Sequence, residues 1–161
     1  MGERLYRFVA VAALAFWIGG TTFYALIVVP TGTRVLGGTE QGFLTEQVTR
    51  QLNWIGVATL VILLPCMRKS WFHATSWLVL AATVAALFAL HPRVGAHLNH
   101  AEQSVTDYDG FYAWHRLYLI VTAVQWLTGL VQLWSLAALS ASYPKPSGPQ
   151  PYDMRKKNMA C

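Results

Sequence analysis

Four stretches of this chain carry no charged side chain: Phe8 to Thr33, Gln51 to Met67, Ser70 to Pro92 and Leu117 to Pro144. A hydrocarbon core of ~30 Å is crossed by about 20 apolar residues of helix, with about 17–25 tolerated. Three of the stretches clear that length; the second, at 17 residues, is marginal and must begin inside the polar segment before it. A soluble bundle can bury one such helix but has nothing to cover four. Only 12% of the residues are charged, about half the share usual in a soluble domain. The expected fold is therefore all-α, an integral membrane four-helix bundle of antiparallel up-down topology.

The net charge of +5 is explained by topology rather than by nucleic acid. With the N-terminus in the cytoplasm, the inner segments hold Arg4, Arg7, Arg68, Lys69, Lys145, Arg155, Lys156 and Lys157, and the outer loops hold Arg34, Arg50, Arg93 and Arg116. Glu40, Glu46, Glu102, Asp107 and Asp109 also fall outside. Lys and Arg favour the cytoplasmic side of a membrane, so both termini are placed there. The lipid bilayer is the expected partner, nucleic acid is not, and a bacterial plasma membrane is the expected location. The first apolar stretch continues unbroken to Pro30, longer than the 7–15 residues of a signal-peptide core, and is read as a retained helix. Tyr6 stands where a myristoylation signal has Ser or Thr. Cys66 and Cys161 lie too far apart in sequence to imply a disulfide or metal framework.

One domain, residues 1–141, and a flexible cytoplasmic tail, residues 142–161, are expected. Helix one covers about residues 5–30, with Pro30-Thr31-Gly32 as its stop. Thr31 to Asn53 reads as an outer loop, broken at Gly37-Gly38, with an amphipathic helix from Gln41 to Leu52 leading into helix two, about residues 50–67. Arg68-Lys69-Ser70 is a tight turn. Helix three covers about residues 71–91 and ends at Pro92. A short helix from Val94 to Gln103 is expected in the second outer loop, before helix four at about residues 111–139. Trp17, Trp77 and Trp126 lie deep in their segments and are expected between helices. Gly19, Gly20 and Gly56 are sites where a neighbouring backbone can approach.

Helix four carries the most informative pattern. His115, Tyr118, Thr122, Gln125, Gly129 and Gln132 recur at spacings of 3 and 4 residues, which is one face of an α-helix. Hydrocarbon offers amide side chains no hydrogen bond, so this polar face must look into the bundle. There Gln125 and Gln132 serve either as interhelical glue or as the wall of a polar cavity. Helix three has a weaker stripe of His73, Ser76, Thr83 and His91. Its two histidines are 18 residues apart, or ~27 Å at 1.5 Å per residue, and belong to opposite ends of the bundle. His91, His97, His100 and His115 gather at the outer end, with Glu102, Asp107 and Asp109 near them in sequence. Imidazole is the commonest transition-metal ligand. His91 and His115 on facing helices would suit axial ligation of haem b, and His97 and His100 would add metal ligands if they share a helical face.

Two groups of residues resemble a known plan. One is Phe16-Trp17-Ile18-Gly19-Gly20-Thr21-Thr22-Phe23 followed by Val29-Pro30. The other is His91-Pro92-Arg93 with Phe111-Tyr112-Ala113-Trp114-His115-Arg116-Leu117-Tyr118. They resemble the small four-helix membrane proteins of the uncharacterised family that includes the eukaryotic transmembrane protein linked to platinum-drug resistance. The Trp-x-Gly-Gly element is also similar to the copper-resistance membrane family. The first resemblance implies a fold and no mechanism. No nucleophile elbow, phosphate-binding glycine loop or intramembrane carboxylate is legible. The expected function is a non-enzymatic accessory subunit of a larger membrane complex or homo-oligomer, a scaffold, or a small-solute handling protein without cofactor. The alternative is a haem- or copper-binding membrane protein using the outer histidines.

Overall fold

A computed structural model of the chain describes residues 2–99, 101–102 and 104–141; the tail expected over 142–161 lies outside them, as does His100. Four helices among the described residues are long and apolar enough to cross a membrane, as in a multi-pass membrane protein. Helix one spans Gly2–Leu36, helix two Gly38–Arg68, helix three Trp71–Gly95 and helix four Tyr108–Ala141. Helix one packs against helices two and four, and helix three packs against the same two.

Pro30 does not end helix one. A proline ring removes one backbone N–H and crowds the carbonyl four residues before it, here that of Leu26. The helix answers by widening to a π turn over Tyr24–Val28 and resuming as α-helix over Val29–Leu36, the kind of local adjustment that lets proline stay inside a membrane helix. The stop is Gly37, at φ 98°, whose N–H closes on the Thr33 carbonyl at 3.1 Å. Glycine alone takes that backbone conformation without a steric penalty. Helix two begins at the next residue, so the expected loop from Thr31 to Asn53 is a one-residue corner between two helices.

Proline shapes the other end of helix two as well. Pro65 has no N–H to give the Val61 carbonyl, so Leu64 N–H takes it and the chain tightens into a 3₁₀ turn over Leu64–Lys69. Two nearby carbonyls are met from other helices: Trp77 Nε1 donates to Leu60 O at 2.9 Å, and the Tyr6 hydroxyl donates to Ile62 O at 2.8 Å. Buried carbonyls deprived of their helical partner need such donors where no water reaches. Ser70 then caps helix three by accepting from His73 N–H.

Helix three continues past Pro92 to Gly95. The short helix expected from Val94 to Gln103 is instead a hairpin, with Leu98–Asn99 paired antiparallel to Ser104–Val105. Asn99 Oδ1 accepts from the N–H groups of Ala101 and Glu102. An Asn that satisfies its own turn in this way favours a turn over a helix.

The surface is as apolar as the core. Phe16, Leu26 and Val61 stand well exposed on the helices, where lipid would meet them. Inside, Ala10, Leu14, Trp17, Leu63, Leu80 and Leu136 form the main cluster. Trp17 and Trp126 lie between helices as expected, the latter donating to Thr22 Oγ1 at 2.7 Å. The expected close approach at Gly19 is absent, since a Cβ there would meet nothing within 4 Å. It is the large neighbours of that glycine that dock: Trp17 lies over Gly56 of helix two, and Ile18 over Gly129 of helix four.

The two glycines therefore predict opposite signs. Gly19→Ala, in open space, should stabilise by about 0.5–1 kcal/mol through helix propensity. Gly56→Ala, whose Cβ would come 2.5 Å from the Trp17 ring, should destabilise by about 1–3 kcal/mol through overpacking. Thermal unfolding of both variants in one detergent, followed by circular dichroism, checks this; equal shifts would refute the docking of Trp17.

Candidate functional site

A cavity of about 380 Å³ lies in the half of the molecule where Gly37 joins helices one and two. Its walls come from all four helices. The Tyr24–Val28 π turn contributes Tyr24, whose hydroxyl donates to Thr45 Oγ1 at 2.8 Å. Thr45 in turn donates to the Gln41 carbonyl, and Gln41 Nε2 lies 3.2 Å from Thr45 Oγ1. Asn53, also buried, donates through Nδ2 to the Tyr118 hydroxyl at 3.1 Å. These bonds tie helix two to helices one and four across the cavity.

The polar face of helix four divides along its length. Tyr118, Thr122 and Gln125 line the cavity together with His115. Gln132, one turn past Gly129, does not. It lies 1% exposed with Oε1 3.3 Å from His73 Nδ1, so the two alternatives for the glutamines apply to different residues. Gln132 ties helix four to helix three. Gln125 is 4% exposed, and its Nε2 has no hydrogen-bond partner among the described residues.

The outer histidines also separate. His91 and His115 line the same cavity. His91 Nε2 lies 2.9 Å from the Glu46 carbonyl, so this nitrogen is the donor of that bond and Nδ1 is the ring nitrogen left facing elsewhere. The His115 ring stacks on Phe111 at 5.5 Å between centroids and 8° between planes. His97 is not with them: its Nδ1 lies 3.6 Å from Asp107 Oδ2. The other oxygen of that carboxylate accepts from Gly110 N–H at the start of helix four. With Asp107 more than half exposed, this contact contributes little and serves to close the hairpin onto the helix. His97 lies in the turn between helix three and the hairpin rather than on the helix expected from Val94, and His100, expected beside it, is outside the described residues. Among the described residues no three of His, Cys, Asp and Glu gather as a metal site.

No protein-family model, no curated protein and no solved structure matches this chain. The resemblance carried by residues 16–23 and 111–118 thus rests on those residues alone.

Several wall residues escape a reading of the sequence. Gln41, Thr45, Thr49 and Asn53 repeat every four residues along helix two, the spacing of one helical face. That stripe is polar and faces inward, so the amphipathic segment expected to lead into helix two turns its polar side to the core. Glu46, assigned from sequence to an outer loop, belongs to helix two and lines the cavity.

The bond across the bundle sets a prediction. Tyr118→Phe and Asn53→Leu should each destabilise, and the double variant should cost less than their sum. Such cycles in membrane proteins average ~0.6 kcal/mol with a maximum of ~1.7, and the buried pair should fall in the upper half of that range. Unfolding of the four proteins of the cycle gives the coupling; strict additivity would mean that the bond is not formed.

Proposed function

We propose that this chain is a non-enzymatic, antiparallel up-down four-helix membrane protein that holds a small, largely apolar molecule in the cavity. The antiparallel reading is supported by the order of contacts: Tyr6 meets Ile62 while Tyr24 meets Thr45, and Trp77 meets Leu60 while His91 meets Glu46. Cytoplasmic termini follow from the basic residues around helix ends. The single observation that carries the binding reading is the cavity itself. Helices held together only by polar glue pack without a void, because interiors are close-packed. This one leaves a space within the ~300–1,000 Å³ of small-molecule sites, walled by apolar side chains and a few polar groups.

The test is displacement of a solvatochromic hydrophobic dye from protein in lipid nanodiscs. Ala25→Phe, at an exposed point of the wall, should weaken dye binding at least ~10-fold, about 1.4 kcal/mol, while leaving the melting temperature unchanged. Dye affinity equal in wild type and variant would remove the cavity as the binding site. Reporter fusions after Ala141 and at Gly37 test topology, and an outside report from the first would reverse the orientation.

A second reading, haem b or copper held by His91 and His115, is favoured by their place in one cavity wall. It must contend with the bond from His91 Nε2 to Glu46, which leaves only Nδ1 for a metal. Protein purified from a haem- and copper-replete host should, on this reading, show a Soret band or stoichiometric copper that disappears in His91→Ala and His115→Ala. The leading reading expects neither signal. Mass measurement of the purified particle tests, in the same preparation, whether it travels as a homo-oligomer or within a larger complex.

A further inference from the structure

The chemical class of the ligand is written in the hydrogen bonds of the cavity wall. Thr21, Thr33, Thr45, Thr49 and Thr122 all donate their hydroxyl protons to carbonyls one turn back in their own helices. Tyr24 donates to Thr45, and Asn53 donates to Tyr118. These groups have already placed their donors within the protein. Gln125 has not. It is only 4% exposed, and its Nε2 finds no acceptor among the described residues. An amide N–H kept from water without an acceptor costs about 1–3 kcal/mol. Gln132 Nε2 is in the same state away from the cavity, and Gln41 Oε1 is an unpartnered acceptor in the wall, so Gln125 Nε2 is the unpartnered amide donor that a molecule in the cavity can reach.

Charge narrows the class further. Among the described residues no Lys or Arg lines the cavity, and its one carboxylate is Glu46. An anionic headgroup would enter without a counter-charge and beside a like one, which is costly away from water. The acceptor is therefore a neutral oxygen.

The route follows from which wall residues reach the surface. They are Ala25 and Thr33 of helix one, Gly38 at the corner, and Tyr112 and Leu119 of helix four. Helix three contributes none. Helices one and four are drawn together lower down, where Ile18 covers Gly129 and Trp126 donates to Thr22. Above that clamp the exposed wall residues mark a mouth between these two helices, within segments apolar enough to lie in a membrane.

We infer that the cavity takes an uncharged, membrane-dissolved molecule whose carbonyl oxygen accepts from Gln125 Nε2, and that it enters from the bilayer between helices one and four. This rests on the reading of the cavity as a ligand site. The probe that tests it is an alkylated benzophenone, which carries the aryl ketone and labels nearby C–H bonds on illumination. Full-length protein in phosphatidylcholine nanodiscs is photolabelled, and labelled peptides are mapped by mass spectrometry. Labelling should fall on cavity residues around Tyr118 to Gln125. An alkyl phenyl ketone should compete at a concentration about tenfold below that needed for the alkylbenzene of equal length, the factor expected from about 1.4 kcal/mol. Gln125→Leu should abolish that difference while keeping competition by the hydrocarbon. If ketone and hydrocarbon compete equally in the wild type, the assignment to a carbonyl ligand is overturned and the cavity reading stands. A long-chain trimethylammonium competing better than the ketone overturns it too. If no cavity residue is labelled, both readings fall. The wild-type comparison needs no variant, so a failure of Gln125→Leu to fold leaves the test intact.

Discussion

Hydrocarbon gives a polar group nothing to bond to, and the architecture follows from that constraint. Each polar side chain on a long apolar helix must be met by another helix, by its own backbone or by something held between them. Five wall threonines satisfy the constraint within their own helices. Asn53 and Tyr118 meet across the bundle, and toward the other end Gln132 Oε1 meets His73 while Gln132 Nε2 is left without a partner among the described residues. Even Pro30 and Pro65 are accommodated in these terms. The π turn before Pro30 and the 3₁₀ turn around Pro65 are local rearrangements of backbone bonding, and Tyr6 and Trp77 supply donors from elsewhere. Packing then fixes distances, chiefly through Trp17 on Gly56 and Ile18 on Gly129.

The four membrane helices were legible because an apolar run of bilayer length without a charge is rarely compatible with water. The inward face of helix four was legible too, since its polar residues keep the helical period without a break. What the sequence hid was mostly punctuation. Pro30-Thr31-Gly32 carries a common helix stop, yet inside a membrane helix a proline costs less than unwinding the chain, so the stop moved to the first residue able to take a positive φ. A hairpin at Leu98–Val105 was missed because Asn99 can serve in a helix or end one, and only its side-chain bonds to Ala101 and Glu102 distinguish the two.

The site was half legible. Tyr118, Thr122, Gln125, His91 and His115 could be named from period and position, and the structure brings all five to one cavity. Their counterparts Gln41, Thr45 and Asn53 could not, because an amphipathic segment next to a membrane is ordinarily turned polar side out. Here the polar stripe is the buried one. The histidines also show why residue type alone misleads. His97 serves a turn, His73 an interhelical bond and His91 a backbone carbonyl, and each role reflects its immediate neighbour rather than a shared chemistry.

The one-residue corner at Gly37 has a consequence for how the molecule sits in a leaflet. Helix one runs 35 residues without interruption, roughly 52 Å at 1.5 Å per residue, against a hydrocarbon thickness of ~30 Å. Tilting absorbs part of such an excess, and the remainder must project. With Arg34, Glu40 and Arg50 flanking the corner and Glu3, Arg4 and Arg7 at the opposite end of helix one, the excess would be shared between the N-terminal turn and the stub where helices one and two join. The cavity runs from Trp17 and Gln125 at its floor to Thr33 and Gly38 at its rim, so in a membrane met by that stub it would span the step from oil to headgroups. A molecule seated there would have one end dissolved in the membrane and the other standing in the water-rich layer above it.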